Sequence, residues 1–254
     1  LKITVLGSGT SQGVPVIGCS CEVCQSVDYR DKRLRSSIRV EVSGQSIIVD
    51  AGPDFRQQML REHVQRLDAI LFTHTHRDHT AGLDDVRAFN FLQEMDMPVF
   101  GTQMVLDQLQ IEFAYAFAKD SYPGIPRLAL NLIEDKVFEV NGVRIVPLPV
   151  LHLNTPVLGF RFGNFSYITD ANFIPEDTLE RLEGTEVLVL NALQHAPHVS
   201  HFNLKEALRM VSVIKPAKTY FTHISHKLGR HADTEKNLPD NVSLAYDGLE
   251  ISLD

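Results

Sequence analysis

The stretch His74-Thr75-His76-Arg77-Asp78-His79-Thr80-Ala81-Gly82 decides the fold. It sets three histidines and an aspartate directly after the apolar run Ala69-Ile70-Leu71-Phe72. In an extended segment, residues two apart point the same way, so His74 and His76 can face one ion from one side. The chain then turns and carries Asp78 and His79 round to a second ion close by. Neutral imidazoles and a carboxylate are ligands that zinc, manganese and iron accept. A lone histidine here would read as part of a polar, half-solvated turn. Three histidines plus an aspartate at this spacing read as a metal site.

All three cysteines fall in a second run, Gly18-Cys19-Ser20-Cys21-Glu22-Val23-Cys24. An odd count this tightly spaced is a poor disulfide framework, whereas three thiolates suit tetrahedral zinc once a fourth ligand arrives. His226, three residues beyond His223 in Thr222-His223-Ile224-Ser225-His226, is the candidate for that ligand.

The His-x-His-x-Asp-His run after an apolar strand resembles the signature of the metallo-β-lactamase-fold hydrolases. Together with the cysteine run, Gly7-Ser8-Gly9-Thr10-Ser11-Gln12-Gly13-Val14-Pro15 resembles the phosphoribosyl cyclic phosphodiesterases of phosphonate breakdown. The resemblance spans essentially the whole chain. It implies an α/β architecture, an αββα sandwich of two mixed β-sheets flanked by helices, with residues 1–254 as one domain. It also implies roles for residues at strand ends. Asp50, in Ser46-Ile47-Ile48-Val49-Asp50-Ala51-Gly52, would brace the histidine loop. His152 would join His74 and His76 on the first ion, and His223 would join Asp78 and His79 on the second. Asp170, in Ser166-Tyr167-Ile168-Thr169-Asp170, would bridge the two. A structural zinc on Cys19, Cys21, Cys24 and His226 would tie the first loop to the far end of the chain.

Composition bounds the remaining choices. At 254 residues and 44% hydrophobic, the chain can bury a large core without a partner. No apolar run approaches the roughly 20 residues of a membrane span, and the first residues read as a strand rather than a signal peptide. Reduced cysteines in a zinc-like cluster, without an export signal, point to the cytoplasm. A formal net charge of −8 disfavours broad, sequence-independent binding to nucleic acid. It permits a small phosphate ester, whose countercharge the metals would supply. The sequence leaves a homodimer open.

Strand-like runs occur at 2–6, 38–42, 45–49, 137–139, 143–150, 159–162, 165–169, 186–190, 218–221, 242–246 and 249–253. Helix-like runs occur at 54–63, 83–92, 103–113, 175–182 and 203–214. Phe55, Met59 and Leu60 read as one face of the first helix, and Leu204, Ala207, Leu208 and Val211 as the stripe of the last. Segment 114–127, rich in aromatics and proline, reads as an insertion or rim loop. Two similar halves, each strands then helices, suit metals at the mouth between two sheets.

Two dications about 3.5–4 Å apart lower the pKa of a shared water towards neutrality and screen charge building on phosphoryl or acyl oxygens. Asp78 can also orient the nucleophile. A departing alkoxide needs a proton too, and His195, His198 and His201 lie in one loop beside a helix start that favours anions. By resemblance, His201 matches the histidine that assists phosphate chemistry in phosphodiesterases of this fold, with His198 as a phosphate contact. His231 reads as solvated. The expectation is a hydrolase with two catalytic divalent metals (zinc, manganese or iron) and one structural zinc. Its substrate would be a small phosphodiester, with cyclic ribosyl phosphates the first to try, and no stable nucleic-acid or membrane partner is expected. Competing readings are a thioester, lactone or amide hydrolase, an RNA-processing nuclease, and a non-catalytic metal protein resembling the pyrroloquinoline quinone proteins.

Overall fold

The computed structural model describes residues 1–118 and 122–253. Its first half runs β1 (Lys2–Gly7), β2 (Ser37–Val42), β3 (Gln45–Val49), α1 (Phe55–Arg61), β4 (Ala69–Leu71), α2 (Arg77–Thr80), α3 (Arg87–Gln93), β5 (Met97–Gly101), α4 (Gln103–Glu112) and β6 (Leu128–Leu132). The second half runs β7 (Phe138–Val140), β8 (Val143–His152), β9 (Thr155–Phe162), β10 (Phe165–Ile168), α5 (Glu176–Arg181), β11 (Val187–Asn191), α6 (Leu204–Ile214), β12 (Lys218–Thr222), α7 (His231–Glu235) and β13 (Val242–Leu244). A last strand, β14 (Glu250–Ser252), returns to the first sheet beside β1. The strands form two seven-stranded sheets, ordered β14-β1-β2-β3-β4-β5-β6 and β13-β12-β11-β10-β9-β8-β7. Each is mixed. Strands β3 to β6 and β10 to β13 pair parallel, and the strands leading into each run pair antiparallel.

Alternation along the strands builds the layers. Ile47 and Val49 of β3 join Phe160, Phe165 and Tyr167 of the facing sheet in the central core. The intervening Ile48 turns the other way, onto Phe55 and Met59 of α1 and Val105 and Leu109 of α4. In the second sheet Ile168, Leu188 and Leu190 pack outward against Ala207 and Val211 of α6. The order is therefore helix, sheet, sheet, helix. Among the described residues, no helix is long and apolar enough to cross a membrane.

The sandwich agrees with the architecture that the resemblance implies, and several local expectations are corrected. Leu60 is exposed while Phe55 and Met59 are buried, because five helical positions leave Leu60 roughly 140° from Phe55. Strands β5 and β6 lie where none was read. Pro98 and Gly101 weaken the strand signature of β5, and the edge position of β6 leaves it only half-buried. The 83–92 helix divides into a 3-10 turn, Leu83–Val86, and α3. Of the rim segment 114–127, Ala114–Phe117 forms a 3-10 turn, and 119–121 lie outside the described residues. His231 is buried rather than solvated: Arg33 Nη2 donates to its Nδ1 at 3.1 Å, and its N–H donates to Asp31 Oδ1 at 2.7 Å.

One local sequence serves both halves. Ser46-Ile47-Ile48-Val49-Asp50-Ala51 closes β3, and Ser166-Tyr167-Ile168-Thr169-Asp170-Ala171 closes β10. Each ends on an aspartate in the left-handed region, φ 66° at Asp50 and 54° at Asp170, and each leads through a loop into a helix and then a parallel strand.

Candidate metal centre

The ends of β3, β4, β8, β10 and β12 meet at the joint between the sheets. A left-handed residue swings its side chain off the strand axis, and His223 (φ 54°), after β12, uses the same device as Asp50 and Asp170. Such a conformation is uncommon for residues other than glycine and concentrates at functional sites. Close backbone approach fixes the histidine loop: a Cβ on Gly52 would lie 2.0 Å from the Asp78 carbonyl oxygen, so only glycine fits.

Asp50 braces that loop as the resemblance implies. Its Oδ1 accepts from the Thr73 N–H at 2.9 Å, and its Oδ2 accepts from Thr73 Oγ1 at 2.9 Å and from His79 Nδ1 at 2.7 Å. His74 Nδ1 donates to Thr73 Oγ1 at 2.9 Å. Both rings therefore point Nε2 inward, and neither Nε2 has a hydrogen-bond partner among the described residues although both are buried.

Asp170 is the hub. Its Oδ2 lies 3.7 Å from His74 Nε2, and its Oδ1 lies 3.4 Å from His79 Nε2 and 3.0 Å from His223 Nδ1. It belongs to three potential ligand groups at once: with His74 and His76, with His79 and His223, and with His152 and His201. Asp78 Oδ2 lies 3.2 Å from His79 Nε2. The His152 ring stands 5.1 Å from that of His76, with Nδ1 donating to the Ser200 carbonyl at 2.7 Å. The seven residues read as catalytic-metal ligands thus converge, and His201 joins them, 4.4 Å from the His152 ring and 4.8 Å from that of His223.

The electrostatics call for cations. Burial, then the neighbouring His79, holds His74 well below the ordinary histidine range. His79 goes the other way. Burial opposes its protonation, yet Asp170, Asp50 and Asp78 carry it well above that range. Asp170 stays well below the carboxylate range despite burial, because His223 and His79 favour its charge. A buried group with unpaired imidazole nitrogens around ionised carboxylates fits divalent metal, which satisfies both.

The cysteine cluster fits a tetrahedral ion equally well. Cys19, Cys21 and Cys24 each set Sγ 3.4 Å from His226 Nδ1, across some 200 positions of sequence. The Cys24 N–H holds the Cys21 thiol down at about 6, whereas burial pushes Cys24 up to about 11. The two loops are also laced by backbone, Ile224 N–H to the Ser8 carbonyl at 2.9 Å and Thr10 N–H to the Ile224 carbonyl at 3.2 Å.

The remaining loop histidines separate. His201 is buried and held at about 3 by burial first and His223 next. His198 is exposed, its ring 5.2 Å from His201, and His195 is exposed. Sequence reading missed Thr10 and Ser36, whose hydroxyls lie 3.3 and 3.1 Å from the two nitrogens of His223. It also passed over a usable signal, a threonine directly before three of the converging residues at Thr73-His74, Thr169-Asp170 and Thr222-His223.

Residues 45–224 match the beta-lactamase superfamily domain. The chain belongs to the metallo-β-lactamase superfamily, as a hydrolase-type domain of that fold. Among solved structures, a diphosphatase from the PhnP family is 40% identical with a TM-score of 0.93, covering 100% of this chain and 98% of that one. Zinc-bound PqqB from Methylobacterium extorquens, 20% identical with a TM-score of 0.78 and both chains fully covered, shares the fold. An octanoyltransferase of Porphyromonas gingivalis (strain ATCC BAA-308 / W83) is 37% identical over 257 residues, all of this chain and 52% of that protein. The chain thus spans about half the length of that curated relative.

Proposed function

We propose that the chain is a dinuclear-metal phosphodiesterase for small substrates. His74, His76 and His152 would hold one divalent ion, Asp78, His79 and His223 the other, and Asp170 would serve both. The chemistry such a pair supplies is a nucleophilic water at neutral pH and screening of charge on phosphoryl oxygens. The observation that carries the reading is Asp170, whose two oxygens face histidines from both sheets while the buried His201 stands one ring beyond. The 40% identical diphosphatase supports phosphorus–oxygen cleavage. Cys19, Cys21, Cys24 and His226 would hold a third ion, zinc.

The protein's own residues then divide the labour. Asp78 orients the attacking water through a carboxylate oxygen. His201 is neutral in the free site, and an anionic phosphoryl group beside it raises its pKa. Once protonated, it hands that proton to the leaving oxygen, and His198 at the rim contacts the phosphate. General-acid help is worth about 10²–10⁴-fold for a poor alkoxide and little for a good leaving group. His201→Ala should therefore slow an alkyl or ribosyl diester far more than a nitrophenyl diester, measured as kcat/KM. Equal losses on both substrates would reassign His201 to binding.

A second reading, thioester hydrolysis, is favoured by one feature. Exposed Leu153, Phe173 and Val199 form an apolar lip beside His152, pinned by Asn172, which accepts from the Leu153 N–H at 2.8 Å and donates to the Val199 carbonyl at 3.1 Å. An acyl chain would suit that lip, and the half-length match to an octanoyltransferase is in keeping with it. Side-by-side turnover of a cyclic ribosyl phosphate, a linear dinucleotide, a precursor tRNA and an acyl thioester separates the readings.

A further inference from the structure

A cleft of about 670 Å³ opens on the second sheet, its lining made by Asp135, Lys136, Arg144, Arg161 and Arg181 together with Val137, Val146 and Gly163. It lies far from the histidines. Arg144 stands near the start of β8 and His152 is that strand's last residue, eight positions and so about 26 Å further on. A compact substrate on the histidine cluster cannot reach it.

The cleft concentrates positive charge that the protein neutralises only in part. Val146 pairs across the ladder with Arg161, and Arg144, two positions back, shares its face, so two guanidinium groups are diagonal neighbours. Burial, then Arg144, pulls Arg161 below the ordinary arginine range. Arg161 is nonetheless fixed: Nε donates to the Gly163 carbonyl at 2.7 Å, and Nη1 donates to the Arg181 and Glu183 carbonyls at 2.6 and 2.5 Å. Arg181 donates to the Pro147 carbonyl at 3.1 Å and pairs with Asp135, the only carboxylate in the lining. Lys136 meets Glu134 outside the cleft at 3.0 Å. Arg144 has no ion pair or side-chain hydrogen bond among the described residues. In a chain of net charge −8, Arg181 and Lys136 each have a carboxylate partner, but Arg161 is held by neutral carbonyls alone. Arg144, opposite Glu139 across the ladder, makes no ion pair with it, so two guanidinium groups remain for an outside anion.

We infer that this cleft binds a compact, multiply charged phosphate-bearing small molecule, at a site separate from the histidine centre. Guanidinium forks match phosphate and carboxylate oxygens in pairs, a fit that halides lack, and a polyphosphate gathers more charge into a compact volume than a carboxylate does. The volume falls within the roughly 300–1,000 Å³ of small-molecule pockets, and Val137 and Val146 add an apolar floor.

Titrating inorganic tripolyphosphate into the zinc-loaded chain tests this by NMR. The backbone amides of Val137, Val146 and Gly163 should shift as the cleft fills. Arg144→Gln removes a cation that makes no bond within the protein, so the fold persists, and it should weaken that response roughly tenfold in apparent affinity. Amides near the histidines, such as those of Thr73 and Thr169, should respond alike in both proteins. No shift at 137, 146 and 163, or the same affinity in Arg144→Gln, would overturn the site. Citrate binding as tightly as tripolyphosphate would overturn the phosphate assignment.

Discussion

Single side chains at the two metal clusters are expected to fail in different ways. Cys21 belongs to a cluster that joins residues some 200 positions apart, so an ion there would be coupled to folding. Cys21→Ala should lower the melting temperature and leave the purified protein one zinc short. His76 is exposed at the rim, and its loss removes a ligand without opening the core. His76→Ala should keep the melting temperature within a few degrees while turnover falls by more than about 10²-fold. Similar unfolding of both variants, read by calorimetry beside elemental analysis, would erase the distinction. His231 supplies a pH test at a side chain that belongs to none of the candidate metal groups. Burial, with Arg33 next, holds it at about 4, below the 6.5 of a free histidine. A depressed histidine contributes stability that is complete above about pH 6.5 and lost as pH falls towards 4, since the unfolded chain takes the proton first. Unfolding free energies from denaturant titrations at pH 7 and 4.5 should differ less in His231→Asn than in wild type, by on the order of 2 kcal/mol.

At the scale of elements, α6 sets the position of the loop that carries His201. Asn203 closes a capping box, its Oδ1 accepting from the Glu206 N–H at 2.9 Å while Glu206 Oε2 accepts from the Asn203 N–H at 3.0 Å. Asn203→Ala should cost about 1 kcal/mol in urea denaturation with an unchanged slope, and Asn203→Ser should restore most of it. This helix was legible in the sequence because Leu204, Ala207, Leu208 and Val211 recur on one stripe. The residues that converge at the candidate metal centre were legible as well, because they cluster within short runs or end apolar strands. Other parts of the site were not. Thr10 and Ser36 reach His223 from 213 and 187 positions away, contacts that only the closed sandwich creates. Strand β5 hid behind Pro98 and Gly101, and Leu60 looked apolar enough for the core but faces solvent on a helix whose buried stripe is narrow.

At the scale of the whole molecule, the proposed ions fasten one sheet to the other. His74, His76, Asp78 and His79 come from the first half, and His152, Asp170 and His223 from the second. Elemental analysis should find up to three ions per chain. Two should leave readily to a chelator, and the cysteine-bound one slowly. The paired motifs that close β3 and β10 carry this further. Two halves built alike meet at the centre, yet their equivalent aspartates have parted company: Asp50 turns to Thr73 and His79, and Asp170 faces the cluster. The centre is a broken symmetry. One proposed position is framed by three imidazoles and the other has Asp78 to itself, so the two positions should prefer different ions. A harder cation such as manganese should favour the aspartate side and zinc the imidazole side. Anomalous diffraction at the two absorption edges, on protein loaded with both metals, should show each element concentrated on its own side of Asp170.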